Sequence, residues 1–312
     1  MRLVLCILAT LILYSCSDEG QAVQFKRKHT GTQDIIYDMD ITPDGTLTAV
    51  GGYVWSRGLS LTGKVTSDTI MADSFSNKGV FCLLRNRNRE LMTVGTDGYL
   101  FVKQDNEISW QFHRLSNWDI LHNILETNNG YLASGGKSYE HGYIYLLNPD
   151  KQIDTAMYFD YEISDIKKTA SGRFIAAGWG NVRLSDDGGI TWKTLPVKGD
   201  FFASCHFDDK NHGWIVGYNG TLLHSADGGN TWFEPDADIS ANGTNSFRKI
   251  TGFGKNELMI TGNNGRLWRS VDAGKSWTTY KLPTHEDIYD VEKYSGIYYI
   301  SGSGGLLAGV SL

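Results

Sequence analysis

The sequence predicts an all-β protein, a seven-bladed β-propeller of four-stranded blades closed by a strand from its own N-terminus. Three observations predict it. A glycine that ends an apolar strand recurs at Gly51, Gly95, Gly135, Gly178, Gly217, Gly262 and Gly302. The separations are 44, 40, 43, 39, 45 and 40 residues, about 42 on average, which is the length of a four-stranded blade. A turn of pattern Ser-x-Asp-x-Gly-x-Thr/Ser-Trp returns at residues 185–192, 225–232 and 270–277. Finally, the last repeat ends at Leu312 without an outermost strand, while a strand-like segment near the N-terminus, Ala22 to Thr30, has no blade of its own. Residues Val23 to His29 are therefore expected to supply the missing strand, because an open ring would expose an unpaired sheet edge.

The 312 residues form one unit on this reading, since a propeller reaches this size as a single domain. A hydrophobic content of 41% with 36 Gly and only 5 Pro fits a globular chain with many tight turns and excludes a disordered one. Residues 1–15 have the layout of an export signal: one basic residue, Arg2, then an apolar run from Leu3 to Tyr14 that is too short to span a membrane. Leu13-Tyr14-Ser15-Cys16 resembles the lipobox of bacterial lipoproteins, although Tyr14 stands where that pattern usually holds a small residue. The resemblance implies cleavage before Cys16, lipidation of its thiol and a lipid-anchored place in the bacterial cell envelope, on the periplasmic or surface face of the outer membrane. An ordinary signal peptide cut elsewhere is the alternative. Residues 16–21 then form a tether, and its Ser17-Asp18-Glu19-Gly20 resembles the acidic tract that sends some bacterial lipoproteins to the cell surface. The propeller occupies 22–312.

Loss of residues 1–15 leaves 28 basic against 35 acidic side chains, a net charge of −7, which argues against nucleic acid as a partner. Cys82 and Cys205 fall in the first strands of blades two and five, which are not neighbours in a ring, so they read as small buried residues and not as a disulfide. The seven first strands can be aligned on the glycine. The alignment places Asp38, Leu83, Asn123, Asp165, Ser204, Lys249 and Asp290 at one position, expected to face a water-filled central channel. Blade one carries an excursion, Tyr53 to Phe75, that looks irregular, and Lys103 to Trp110 is a degenerate copy of the repeated turn.

The three full turns match the Asp-box, or BNR, repeat. Gly189, Gly229 and Gly274 permit the positive φ of the turn. Ser185, Ser225 and Ser270 open it, Asp187, Asp227 and Asp272 can accept its backbone N–H groups, and Trp192, Trp232 and Trp277 pack over it. Each of these residues has a structural task in the turn. The longer pattern, apolar-Val-Gly-x-x-Gly-x-apolar-x-x-Ser-x-Asp-Gly-Gly-x-Thr-Trp, resembles the Ycf48-type photosystem II assembly-factor repeat over blades four to six, and the other blades only through the glycine. That resemblance implies a noncatalytic scaffold for assembly of a membrane protein complex. The basic patch with which that family binds partners has no evident counterpart here; Arg85, Arg87 and Arg89 cluster in one turn, expected to be solvated.

Sialidases share the Asp-box but require three converging arginines, a Tyr–Glu pair and an acid Asp, and their Arg-Ile-Pro signature is absent; Phe247-Arg248-Lys249-Ile250 lacks the proline. No catalytic residue, metal site or cofactor is expected; His206 and His212 are a weak metal pair. A monomer is expected. The candidate binding face is the set of loops entering the first strands, with Asp34, Trp118, Asp119, Tyr161, Glu162, Asp200, Phe201, His285, Glu286 and Asp287. Acids beside aromatic rings suit a basic protein segment or a glycan, and they serve equally to seal blade interfaces and solvate a rim.

Overall fold

A computed structural model describes residues 13–16, 22–105, 107–116, 118–236, 239 and 245–312. Seven antiparallel sheets are arranged in a ring. Their innermost strands are Ile35–Ile41, Val80–Arg85, Leu121–Glu126, Ile163–Lys168, Phe202–Phe207, Phe247–Gly252 and Ile288–Tyr294, each in contact with its counterpart in both neighbouring blades. Contact between Ile288–Tyr294 and Ile35–Ile41 closes the circle.

The second strands are runs such as Phe174–Gly178, Gly213–Gly217 and Leu258–Gly262, buried at every residue. They are apolar throughout because blades cover both their faces, so the alternation of a half-solvated strand is lost. The apolar core accordingly lies between blades: Ile175, Ala177, Val182 and Leu184 of blade four pack on Phe202, Cys205, Ile215 and Leu223 of blade five.

The repeated glycine has a specific cause. In all seven blades the innermost strand carries a β-bulge directly opposite it, for example between Ile163 and Asp165 against Gly178, and between Phe202 and Ser204 against Gly217. The bulged backbone leans over the glycine. A Cβ at Gly178 would lie 1.9 Å from the Glu162 carbonyl oxygen and one at Gly217 1.9 Å from that of Phe201, so no side chain fits there. The extra residue in each bulge is thereby turned out of the ladder.

Blade seven is closed from the other terminus. Ala22–Arg27 pairs antiparallel with Leu307–Ser311, placing Phe25 opposite Val310 and burying Val23 and Phe25 in the core of that blade. Lys28 continues into blade one, where its buried ammonium donates to the carbonyls of Val65 (2.7 Å) and Ser67 (2.6 Å). Leu13–Cys16 adds a fifth strand outside Ala22–Arg27. Three of its four residues belong to the segment a lipobox cleavage would remove.

Several sequence expectations need correction. The bulge sits at the same step in every blade, so Cys82, paired with Val94 as Asp38 is with Val50, is the equivalent of Asp38, and Leu83 is not. The shared polar position does not simply face water. Asp290 accepts the Met39 N–H (2.9 Å), Asp38 that of Leu83 (2.7 Å) and Asp165 that of Cys205 (3.0 Å), so each carboxylate ties its blade to the next. Tyr53 to Phe75 is not irregular: it holds the third strand Arg57–Lys64 and most of the fourth, Ala72–Ser76, with Gly58, Ser60 and Gly63 around Leu59 and Leu61 masking the strand pattern. Among the described residues blade five has three full strands; beyond them it shows the His224–Phe233 bridge, after which Pro235 cannot donate to a ladder. Arg85 is not solvated. It lies between Asp40 and Asp105, while Arg87 pairs with Glu126.

Candidate binding site

Antiparallel order puts the loops entering the innermost strands and the hairpins between second and third strands on one face. The Asp-box turns lie on the other. In each box the serine hydroxyl accepts the glycine N–H, at 2.9 Å for Ser185 and Gly189, 2.9 Å for Ser225 and Gly229, and 2.8 Å for Ser270 and Gly274. Asp187, Asp227 and Asp272 accept the N–H of Thr191, Thr231 and Ser276, and the indoles of Trp192, Trp232 and Trp277 donate to the glycine carbonyls. These groups are consumed within the turn.

The opposite face holds a cavity of about 500 Å³ at the mouth of the channel. All seven bulged residues line it: Tyr37, Phe81, His122, Ser164, Ala203, Arg248 and Tyr289. Five carry planar groups in an arc. Arg248 lies 5.0 Å from the Tyr289 ring, Tyr289 and Tyr37 meet edge to face at 5.1 Å, Tyr37 meets Phe81 at 5.1 Å, and Phe81 meets His122 at 5.6 Å. Above blades four and five a second aromatic group forms the roof, with Trp179 4.7 Å from Phe201 and Phe201 4.5 Å from Tyr218.

The floor is charged but internally paired. Lys249 reaches Asp38 (2.7 Å) and the fully buried Asp290 (2.5 Å), and Lys167 reaches Asp165 (3.0 Å). Burial opposes the charge of Lys249, yet the two carboxylates outweigh it and hold its pKa well above the usual lysine value. Asp290 is pushed up to about 7 by burial and by the neighbouring Asp38 charge, against the pull of Lys249. Glu292, one turn of the pleat below, rises to about 8, chiefly through burial and then the Asp290 charge.

Of the ten residues expected on the binding face, Glu162 and Phe201 line the cavity. The remaining acids have other work. Asp34 pairs with Arg57, Glu286 with Arg27 and Asp287 with Arg248, while Asp119 and Asp200 accept the hydroxyls of Tyr145 and Tyr139. Trp118 and Tyr161 are exposed, and His285 stands on the rim outside the cavity. Cys16 lies in the outer strand beyond blade seven. Sequence reasoning missed Trp179, Tyr218 and the bulged residues. The signal was present: Trp179 and Tyr218 directly follow the repeat glycines Gly178 and Gly217, and each bulged residue immediately precedes the shared polar position. The cavity contains one arginine, Arg248, where sialidase chemistry needs three. Among the described residues no group of three or more His, Cys, Asp or Glu is placed to hold a metal ion.

Comparison with known proteins places this geometry. The family model described as "Photosynthesis system II assembly factor YCF48" matches residues 194–286, which span blades five and six. No curated protein sequence matches the chain. Among solved structures, YCF48 from Cyanidioschyzon merolae superposes with a TM-score of 0.68 at 16% identity, covering 92% of this chain and 98% of that one. A structure titled "YCF48 bound to D1 peptide" gives 0.69 at 16% identity, over 92% and 97% of the two chains. A catalytically inactive virginiamycin B lyase from Staphylococcus aureus, with quinupristin, gives 0.71 at 13% identity over 93% and 99%. At these identities the superpositions establish the fold alone: this chain is a seven-bladed propeller whose residues 194–286 are similar in sequence to the Ycf48-type assembly factors.

Proposed function

We propose that this protein is a noncatalytic binding module, held on the outer side of a bacterial membrane by acylated Cys16, whose cavity takes a polypeptide segment of a membrane protein complex. The observation that carries this reading is the cavity itself: seven bulges, one per blade, all deliver their extra residue to one mouth. The match of residues 194–286 to an assembly-factor family and the peptide-bound YCF48 neighbour support a protein partner. The tether fits. Ala22–Arg27 runs from the Asp-box face to the cavity face, where Arg27 bonds Glu286 (2.8 Å) and the Gly304 carbonyl (2.7 Å). A lipid on Cys16 would therefore hold the Asp-box face toward the membrane and leave the cavity open to partners.

A photo-crosslinking residue in place of Trp179, with Ile190 on the opposite face as control, tests the site in cells. Adducts with a membrane protein from position 179 alone, lost when Ala203→Tyr fills the cavity, are expected. Equal adducts from both positions, or none, defeat the reading. Exposed Tyr139, Tyr161 and Trp118 on the same face favour a cell-surface glycan as the second reading, and saturable binding on a glycan array without protein adducts would establish that instead. For the anchor, an alkyne fatty acid should label the wild-type protein and not Cys16→Ser; label persisting in the mutant rules out the lipobox.

A further inference from the structure

The arc of planar groups around the mouth is interrupted. It runs Arg248, Tyr289, Tyr37, Phe81, His122 and stops, because blades four and five place Ser164 and Ala203 at the equivalent bulge. Blade four alone adds a residue from one layer further down, Lys167, whose ammonium reaches back to Asp165 (3.0 Å) in the floor. Six of the seven loop residues that line the mouth, Ile120, Ser138, Glu162, Trp179, Phe201 and Tyr218, belong to blades three to five, so the gap is roofed as well as floored.

Resting on the reading that this cavity takes a polypeptide, we propose that it is completed by a planar, uncharged side chain of the partner, a tryptophan or tyrosine, seated over Ser164 and Ala203. The shape argument is that the two missing members of the arc leave a space bounded by His122 on one side and by Arg248 and Tyr218 on the other. Rings meeting edge to face or offset gain more than the area they bury. The charge argument excludes the alternatives. Each cation in the wall already holds a carboxylate: Lys167 with Asp165, Lys249 with Asp38 and Asp290, Arg248 with Asp287. An incoming anion would find its cations engaged and would lie beside the Glu162 carboxylate; an incoming cation would lie among three like charges, with Glu162 already accepting the Ser138 N–H (2.6 Å). Polar tips distinguish tryptophan and tyrosine from phenylalanine. Asn123 Oδ1, at the blade-three edge of the gap, is buried without a hydrogen-bond partner among the described residues, whereas His122 Nε2 faces Glu162 Oε1 at 3.4 Å. A phenol O–H or indole N–H supplies what the Asn123 oxygen needs.

The test is a series of glycine-flanked, end-blocked peptides with Trp, Tyr, Phe, Leu, Arg or Glu at the centre, titrated calorimetrically into the propeller. Trp and Tyr peptides should bind several-fold more tightly than Phe, and Leu, Arg and Glu at least tenfold more weakly. Ala203→Tyr introduces the residue that blades one and seven carry at this position. It should abolish aromatic binding with an unchanged melting temperature, and Ser164→Tyr is the substitute if that variant folds poorly. Asn123→Leu should reduce Trp and Tyr to the level of Phe. Arg or Glu peptides binding as tightly as Trp, no aromatic binding at all, or full binding by both filled variants would overturn the proposal. If position 179 still crosslinks a partner in cells while the peptides show no aromatic preference, this inference falls and the functional reading stands; the reverse pattern sinks the functional reading alone.

Discussion

Replacing Lys249 by methionine removes the cation that joins blade six to the seam between blades seven and one. Its ammonium lies 2.7 Å from Asp38 and 2.5 Å from Asp290, and Asp290 is fully buried. Methionine fills a similar volume, so the main loss is electrostatic: two carboxylates face each other without a counter-charge. Breaking a buried pair by removing one partner costs about 3–5 kcal/mol. At about 2–4 °C per kcal/mol for a large domain, the melting temperature should fall by roughly 6–20 °C at about pH 8. The pH dependence is the sharper check. Asp290 has a folded pKa of about 7 and Glu292 of about 8, both above their unfolded values, so the native state binds these protons more tightly than the unfolded chain. Their contribution is fully present below the unfolded pKa near 4 and is lost as pH rises through about 7 to 8. Without Lys249 both carboxyls hold their protons still more tightly, so the deficit of Lys249→Met must shrink on moving from about pH 8 to about pH 5. Adding Asp290→Asn should recover most of it at the higher pH. Thermal melts of the three proteins at both pH values decide the matter; a deficit equal or larger at the acidic value would show that the cluster is not what holds this seam.

The remaining predictions concern closure and the turns. Truncation to Gly31 removes Val23 and Phe25 from the blade-seven core and uncovers the edge of Leu307–Ser311, so aggregation or a large drop in melting temperature is expected, whereas deletion of 17–21 should be nearly silent. A truncated protein that melts like the chain from residue 16 would mean the ring does not depend on that strand. In the Asp-box, Ser225→Ala strands the buried Gly229 N–H and should cost about 1–3 kcal/mol in urea unfolding. Asp227→Ala should cost only about 1 kcal/mol, since water can reach the turn amides it serves; the opposite order refutes the assignment. Bonds from Thr191 hold Asp187 at about 2; at Asp272 burial raises the value, but the bonds from Ser276 and Ser270 together outweigh it and hold it at about 2 as well. Their folded values lie below the unfolded one, so their contribution is present above about pH 4 and lost as pH falls through about 2. Asp187→Ala should flatten that acid limb in a pH series of melts, and an unaltered limb would contradict it.

The sequence by itself determined the ring and its closure. Backbone demands recur from blade to blade, and they admit few residue types: under six of the bulges a carbonyl oxygen leaves no room for a Cβ on the repeat glycine, at Gly262 the Trp268 ring crowds it, and the Asp-box of blades four to six needs a positive φ at Gly189, Gly229 and Gly274. Such positions are legible at any separation because the constraint is local. The unpaired end of blade seven was legible for a related reason, since an edge must be covered and one spare strand existed to cover it. The tertiary structure alone decided the site. Tyr37, Phe81, His122, Arg248 and Tyr289 span four residue types, and nothing local requires them; they converge because seven bulges turn seven side chains toward one axis. The acids that looked available on the rim were mostly spent, because whether Asp34 meets Arg57 or Asp287 meets Arg248 depends on partners 23 and 39 residues away, brought within hydrogen-bond reach in the first case by the folding of blade one and in the second by the packing of blades six and seven. The gap over Ser164 and Ala203 is likewise invisible along the chain: a small residue marks an opening only once the larger side chains around it are in place.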